Sequence, residues 1–376
     1  MSHEEAEGGE RPAHARLAAR LARRAISFPL LLVVWAAALL ALGGLPLALL
    51  GDLALRRRLA ACRALLALAA LASAEVLGVL AALGLGLGAP FVSRARFRGW
   101  NARLQRAWVE GLWAGVRRLY GLRLRVEGGP VAPDAPLLVL VRHTSLIDTL
   151  LPLLVLEPRF ELRWVLKQEL LWDPCLDLVG LRLPNVFVSR DGGQSEREAA
   201  RVAALARAIG PGQAVVIYPE GTRFSPARRE RVLENLARAG GPAGNAQAGG
   251  PAGDARAGGP AGDARAGGPA GDVRARTPTS RLLRARALTH VLPPRPGGVL
   301  GLLAACPEAD VLVVAHTGLE GARTLASLWR GELIGREVRV ASWRVAARAV
   351  PLDPAARQDW LLGQWERLNA WVAAAA

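Results

Sequence analysis

Two side chains able to share a proton, His143 and Asp148, stand five residues apart in the stretch RHTSLID. An imidazole takes up a proton near neutral pH, and a carboxylate beside it fixes its tautomer and steadies the imidazolium that results. The spacing limits how the two can meet. Five residues of straight α-helix turn through about 500°, which leaves the side chains roughly 140° apart. If APLLVLV is instead a buried strand and SLIDTLLPLLVL opens a helix, His143 lies in the connecting turn. Asp148, in the first helical turn, then reaches back to it. The hydroxyl that such a base would deprotonate could belong to a protein serine or to a substrate. No G-x-S-x-G elbow occurs in the chain, which disfavours the serine. Ser145 reads as a helix cap.

Two later stretches have residue types that suit anions. In NVFVSRDGG, Arg190 ends a predicted strand and a glycine pair follows. A guanidinium matches the oxygens of a phosphate, and a turn leaves backbone amides accessible. An ordinary surface charge is the plainer reading of such an arginine. In AVVIYPEGTRF an apolar strand feeds Pro219, Glu220, Gly221, Thr222 and Arg223. A strand, a turn and a helix cap at Thr222 explain the glycine but neither Glu220 nor Arg223. A glutamate, a hydroxyl and a guanidinium at the carboxyl end of a strand stand where α/β sheets bind ligands.

The elements that would carry these groups alternate. Strands are expected at LRLRVEG, PLLVLV, RWVLK, NVFVS, AVVIYP, DVLVVAH and EVRVASWRV, and helices at 145–157, 194–209, 225–238, 297–306 and 354–373. The alternation predicts an α/β fold, a mixed sheet flanked by helices. From Trp100 to Tyr120, tryptophans and leucines recur at helical spacing with arginines opposite, which predicts an amphipathic helix. Four copies of a nine-residue Gly-Pro-Ala unit fill 240–275. They hold almost nothing able to fill a core and read as a disordered insert.

The chain has 376 residues and a formal charge of +16, and Lys167 is its one lysine. That lysine has no glycine before it, which excludes a P-loop. GLGLGA, from Gly84 to Ala89, matches a dinucleotide fingerprint but runs into Pro90 instead of opening a helix. Cys62, Cys175 and Cys306 are far apart, and the five histidines are unclustered in sequence. No metal site, disulfide framework or cofactor is expected from them. The basic balance could serve nucleic acid or an anionic membrane. No zinc-finger or RNP-type motif is present and the arginines flank apolar segments, so a membrane is expected and nucleic acid is not.

Ala25 to Gly51 carries no charge, enough length for a hydrocarbon core of about 30 Å. A second apolar run, Ala64 to Val92, is interrupted by Glu75. Arginines precede the first run, separate the two and follow the second, so a spanning hairpin gains no clear orientation. Two shallow helices in one leaflet would keep every cluster on one side. The expected organisation is a polar tail over 1–24, membrane-associated helices over 25–92 and one domain over 93–376 interrupted by the repeat.

HTSLID, FVSRDGG and YPEGTRFS, in that order, resemble motifs I, II and III of the HX4D glycerolipid acyltransferases. The 1-acylglycerol-3-phosphate and lysocardiolipin-type members are the most similar in appearance. HVLPPRPGG, from His290 to Gly298, resembles a fourth block, and LKQELLWDPCLDLVG the segment between motifs I and II. The resemblance runs from about 95 to 350, less the repeat. It implies a glycerol-3-phosphate acyltransferase-like sheet behind membrane helices, on the cytoplasmic face of the cell's inner membrane. The implied reaction moves a fatty acyl group from acyl-CoA or acyl carrier protein to the free hydroxyl of a lysophospholipid. His143 would be the general base, oriented by Asp148, and Arg190 would bind the acceptor phosphate. Glu220, Gly221, Thr222 and Arg223 would shape the acceptor pocket, with Arg223 a second phosphate contact. Arg295 would lie near the acyl donor. Arg142 and Ser189 replace the asparagine and aspartate of many members, and both changes add positive charge beside the expected phosphate site. The readings weighed against this one are a different amphiphile as acceptor and an inactive lipid-binding protein.

Overall fold

The structure, a computed structural model, describes residues 17–128, 131–189, 195–207, 209–239 and 278–375. Arg190 and the repeat at 240–275 lie outside the described residues, as does 1–16 of the polar tail. All seven expected strands form: β1 Arg123–Glu127, β2 Leu137–Val141, β3 Glu161–Lys167, β4 Val186–Val188, β5 Gln213–Ile217, β6 Asp310–Thr317 and β7 Glu337–Val345. They make one sheet in the order β1-β7-β6-β2-β5-β3-β4. From β6 to β4 every neighbouring pair is parallel. β7 runs antiparallel to β6, and β1 is parallel to β7.

Four helices precede the sheet: α1 Leu17–Ala41, α2 Leu45–Ala54, α3 Ala60–Gly88 and α4 Arg94–Tyr120. Among the described residues seven more alternate with the strands or follow them: α5 Pro152–Val155, α6 Ser195–Ala206, α7 Pro226–Ala239, α8 Pro278–Ala287, α9 Pro296–Ala305, α10 Leu325–Trp329 and α11 Pro354–Ala375. The apolar run of β2 is buried throughout, as a central parallel strand covered on both faces must be. Its side chains alternate between those faces. Leu137, Val139 and Val141 join Trp113 and Tyr120 of α4. Leu138 and Leu140 meet Val202 of α6, Leu302 of α9 and Trp365 of α11.

The helix expected over 145–157 does not form as one element. A 3-10 turn, Asp148–Leu150, leads into α5, a single turn that ends where Leu156 is extended. The Asp148 carboxylate takes the amides of Thr144 and Ser145, which coils the chain around that side chain. Pro152, with no N–H to give, then stands at the start of α5. The amphipathic helix is longer than expected, beginning at Arg94 with Ser93 as its cap.

Leu17–Ala54 and Ala60–Phe91 are each long and apolar enough to cross a membrane. The first begins inside the stretch read as a polar tail. α3 lies along α4 and is tied to the sheet domain near both ends. The Arg63 guanidinium donates to the Leu119 carbonyl at one end. At the other, Arg182 Nη1 donates to the Ala82 carbonyl at 2.7 Å. α1 packs on α3, and its Arg23 and Arg24 reach the fully buried Asp177.

Candidate active site

Parallel neighbours place the candidate residues together. β2 lies between β5 and β6, so the turns leaving their carboxyl ends share one rim of the sheet. The turn after β2 carries His143, the turn after β5 carries Glu220 to Arg223, and His316 is near the end of β6.

His143 Nδ1 stands 3.1 Å from Asp148 Oδ1 and 3.2 Å from Oδ2. Oδ2 also accepts the Thr144 amide at 2.6 Å and the Ser145 amide at 2.8 Å. Ser145 Oγ accepts the amides of Ile147 and Asp148, the local capping task expected of it. Burial alone would raise the Asp148 carboxyl. The His143 bond, the attraction of the His143 and His316 rings when protonated, and the Ser145 amide outweigh it and hold the group below the ordinary carboxylate range. An ionised Asp148 can only accept, so Nδ1 of a neutral His143 carries the proton and Nε2 keeps its lone pair. The Tyr218 ring packs against the imidazole with centroids 4.8 Å apart, and the His143 side chain remains 18% exposed.

Glu220 is buried and points into the protein. Its Oε1 accepts the His143 amide at 3.0 Å, and its Oε2 accepts the Leu292 amide at 3.0 Å. Burial pushes its carboxyl up to about 8, against the pull of those two amides. Glu220 therefore joins three segments: its own turn, the His143 turn and the fourth block. The Phe224 amide donates to the His143 carbonyl at 2.7 Å, a second tie between the first two. Gly221 has φ of +65°, and a Cβ there would come within 3.1 Å of Arg295 Cδ. Only glycine suits both demands. Arg295 thus lies across the PEGTR turn. Thr222 is half-buried. Arg223 Nη1 donates to the Arg323 carbonyl at 2.8 Å.

Arg142 does not add charge to this rim. Its side chain is buried, donates to the His316 carbonyl and to the His290 carbonyl at 2.9 Å, and pairs with Glu320 at 3.0 Å. The expectation that it augments an anion site is corrected: a guanidinium neutralised by Glu320 and bonded to two carbonyl oxygens holds β2, β6 and the fourth block together. Ser189 ends β4 at the sheet's edge, where its amide donates to Glu198 at 2.7 Å.

His316 was not singled out by sequence reasoning, because its strand carries no motif. It is fully buried, with Nε2 3.0 Å from the Arg142 carbonyl and 3.8 Å from Asp148 Oδ2. A carbonyl can only accept, so Nε2 bears the proton. Burial lowers the ring's pKa to about 4, which keeps it neutral beside Asp148. Tyr218 and His316 complete a wall behind the His143–Asp148 pair.

Comparison with known proteins finds two likenesses. Residues 123–249, which include all three motif stretches, match the family model described as Acyltransferase. The crystal structure of the 1-acyl-sn-glycerophosphate (LPA) acyltransferase PlsC from Thermotoga maritima aligns with 80% of this chain and 98% of that one, at 15% identity and a TM-score of 0.39. No curated protein matches the sequence.

Proposed function

We propose that this chain is a membrane-bound acyltransferase that moves a fatty acyl group from acyl-CoA or acyl carrier protein to the free hydroxyl of a lysophospholipid, 1-acylglycerol-3-phosphate being the favoured acceptor. The observation that carries the reading is the His143–Asp148 pair at 3.1 Å, with Nε2 left to accept a proton. His143 Nε2 removes the acceptor hydroxyl proton as that oxygen attacks the thioester carbonyl. The tetrahedral intermediate collapses with cleavage of the C–S bond, and the imidazolium returns its proton to the departing thiolate. Asp148 holds the tautomer and stabilises the transient charge. Arg190 and Arg223 are the proposed contacts of the acceptor phosphate, Arg295 lies over Gly221, and Glu220 acts by holding the His143 turn. The order of the three motifs and the match of 123–249 to the Acyltransferase model support this chemistry.

The helix packing supports attachment within one leaflet. A helix that crosses a bilayer carries its ends to faces about 30 Å apart. α3 meets the sheet domain near both of its ends, through Arg63 and Arg182. A spanning α3 would draw that polar domain into hydrocarbon, which favours α1 to α3 lying in the surface of one leaflet.

The test is acyl transfer by purified protein against a panel of lysophospholipids with both donor types. His143→Ala should lose roughly 10² to 10⁴ in turnover while keeping its fold. Unchanged turnover in folded His143→Ala protein would sink the assignment. Activity confined to an acceptor without phosphate would keep the reaction and remove the phosphate roles of Arg190 and Arg223.

A further inference from the structure

Three chain segments distant in sequence bring arginines together at the carboxyl end of α3. Arg182 follows the π-helical turn Leu176–Gly180. Its guanidinium donates to the Ala82 carbonyl and, at 3.2 Å, to Asn101 Oδ1, and it stacks over the Phe97 ring at 5.3 Å from the centroid. Beside it opens a cavity of about 370 Å³ lined by Arg94, Phe97, Arg98 and Arg182. Burial, then the charges of Arg24 and Arg20 on α1, hold the Arg182 pKa below its ordinary value, so positive groups crowd this place. Asp177, the carboxylate within reach of α1, is engaged by Arg23 and Arg24. Among the described residues neither Arg98 nor Arg182 has a carboxylate partner.

The location says which anion fits. The uncharged run of α1 begins at Ala25, directly after Arg24, and the apolar run of α3 ends nearby with Phe91 standing 85% exposed. The pocket is thus at the polar edge of both apolar helices. Guanidinium groups that are held in place by a carbonyl and an aromatic face match phosphate oxygens. None of the lining residues belongs to the His143 turn.

We infer that this pocket binds the phosphate headgroup of an anionic phospholipid of the host membrane, at a site separate from the acyl-transfer centre. The inference rests on the membrane attachment in the reading above, and on no part of its chemistry. The bound lipid would fix how α4 and the rim of the sheet stand relative to the bilayer.

The experiment measures binding of the full-length protein to vesicles of phosphatidylcholine alone and of an equal mixture of phosphatidylcholine and phosphatidylglycerol. The variants are Arg94→Gln/Arg98→Gln and, as a charge-matched control, Arg57→Gln/Arg58→Gln in the turn between α2 and α3. Each basic group near an anionic surface is worth roughly fivefold in affinity. That surface term acts on both pairs, so the control should bind mixed vesicles up to about 25-fold more weakly than wild type and the pocket variant, which also loses direct bonds to the headgroup, about tenfold more weakly still, with binding to phosphatidylcholine unchanged. Equal losses in the two variants, or none in the pocket variant, overturn the site. Inorganic phosphate should not raise the melting temperature of wild type above that of the pocket variant. If it does, and the vesicle affinities agree, the ligand is a soluble anion and the lipid assignment falls. Turnover on micellar lysophospholipid should be unchanged in the pocket variant. A wild-type protein that lacks acyl transfer but keeps the vesicle preference would refute the proposed function and leave this pocket standing.

Discussion

Asp148→Asn tests the catalytic geometry most sharply, because the two carboxylate oxygens have different partners. Oδ2 takes the amides of Thr144 and Ser145 and also stands 3.2 Å from His143 Nδ1, whereas Oδ1 engages Nδ1 at 3.1 Å and takes neither amide. An asparagine has one acceptor and one donor. Its oxygen will occupy the Oδ2 position, where it satisfies two buried amides, so its NH2 group will face Nδ1. That NH2, the nearer of the two groups, favours the tautomer in which Nδ1 accepts against the oxygen 3.2 Å away, and the imidazole proton then sits on Nε2, the nitrogen that should take the substrate proton. In a Ser-His-Asp triad the same inverted tautomer costs about 10⁴ in kcat, or about 5.4 kcal/mol of activation free energy. A similar loss is expected here, with acceptor and donor KM little altered and a melting temperature near wild type. Asp148→Ala differs in kind. It strands the two amides, each at about 1–3 kcal/mol, and should destabilise the fold as well as stop turnover. The assay is thiol release from the acyl donor under saturating acceptor, paired with thermal melts of both variants. Asp148→Asn with kcat within about tenfold of wild type would show that tautomer control by Asp148 is not the source of catalysis.

Two further outcomes follow from the groups around the pair. Glu220→Gln can satisfy only one of the His143 and Leu292 amides with its oxygen and sets its NH2 against the other. It should cost about 1–3 kcal/mol of stability and lower kcat more than it raises acceptor KM; unchanged melting temperature and kcat would remove Glu220 as the tie between the turns. His316 gives a pH dependence of stability. Its unfolded ring binds a proton below its ordinary 6.5, while the buried ring resists until about 4. Between those values the unfolded state holds more protons, so stability falls as pH drops, by on the order of 3 kcal/mol across the window. Because the raised Glu220 carboxyl acts in the opposite sense in both proteins, the readout is the difference: urea titrations should show wild type losing stability relative to His316→Gln, which keeps a donor for the Arg142 carbonyl, as pH falls from 6.5 to 4; an identical slope in both would place the dependence elsewhere.

Much of the sheet was legible because strand formation here is a local matter. Runs such as LLVLV and EVRVASWRV have no other stable use than buried or half-buried strands, and β7 occupies Glu337–Val345 as expected. The meeting of His143 and Asp148 was also legible, since a strand-to-turn junction brings residues five apart together without help from the rest of the chain. The helix predicted after it failed for an equally local reason that periodicity hides: the amides of Thr144 and Ser145 turn to the Asp148 carboxylate. α8 escaped notice because the repeat before it offers no pattern to end.

By itself, then, the sequence determined the apolar helices, the strands, the three chemical motifs and the local encounter of base and carboxylate. The tertiary structure decided what those groups do to one another. Glu220 and His143 are 77 residues apart, and Arg142 and the His316 carbonyl 174. Hydrophobic period says that a strand is buried but not which strands flank it. Only the order β6-β2-β5 turns Glu220 inward as a strut, neutralises Arg142 against Glu320 and sets His316 behind Asp148. The same holds for Arg98 and Arg182, whose shared cavity exists only once the turn that carries Arg182 lies against α4. A side chain's partners across a sheet or between helices are fixed by packing, and packing is a property of the assembled layers.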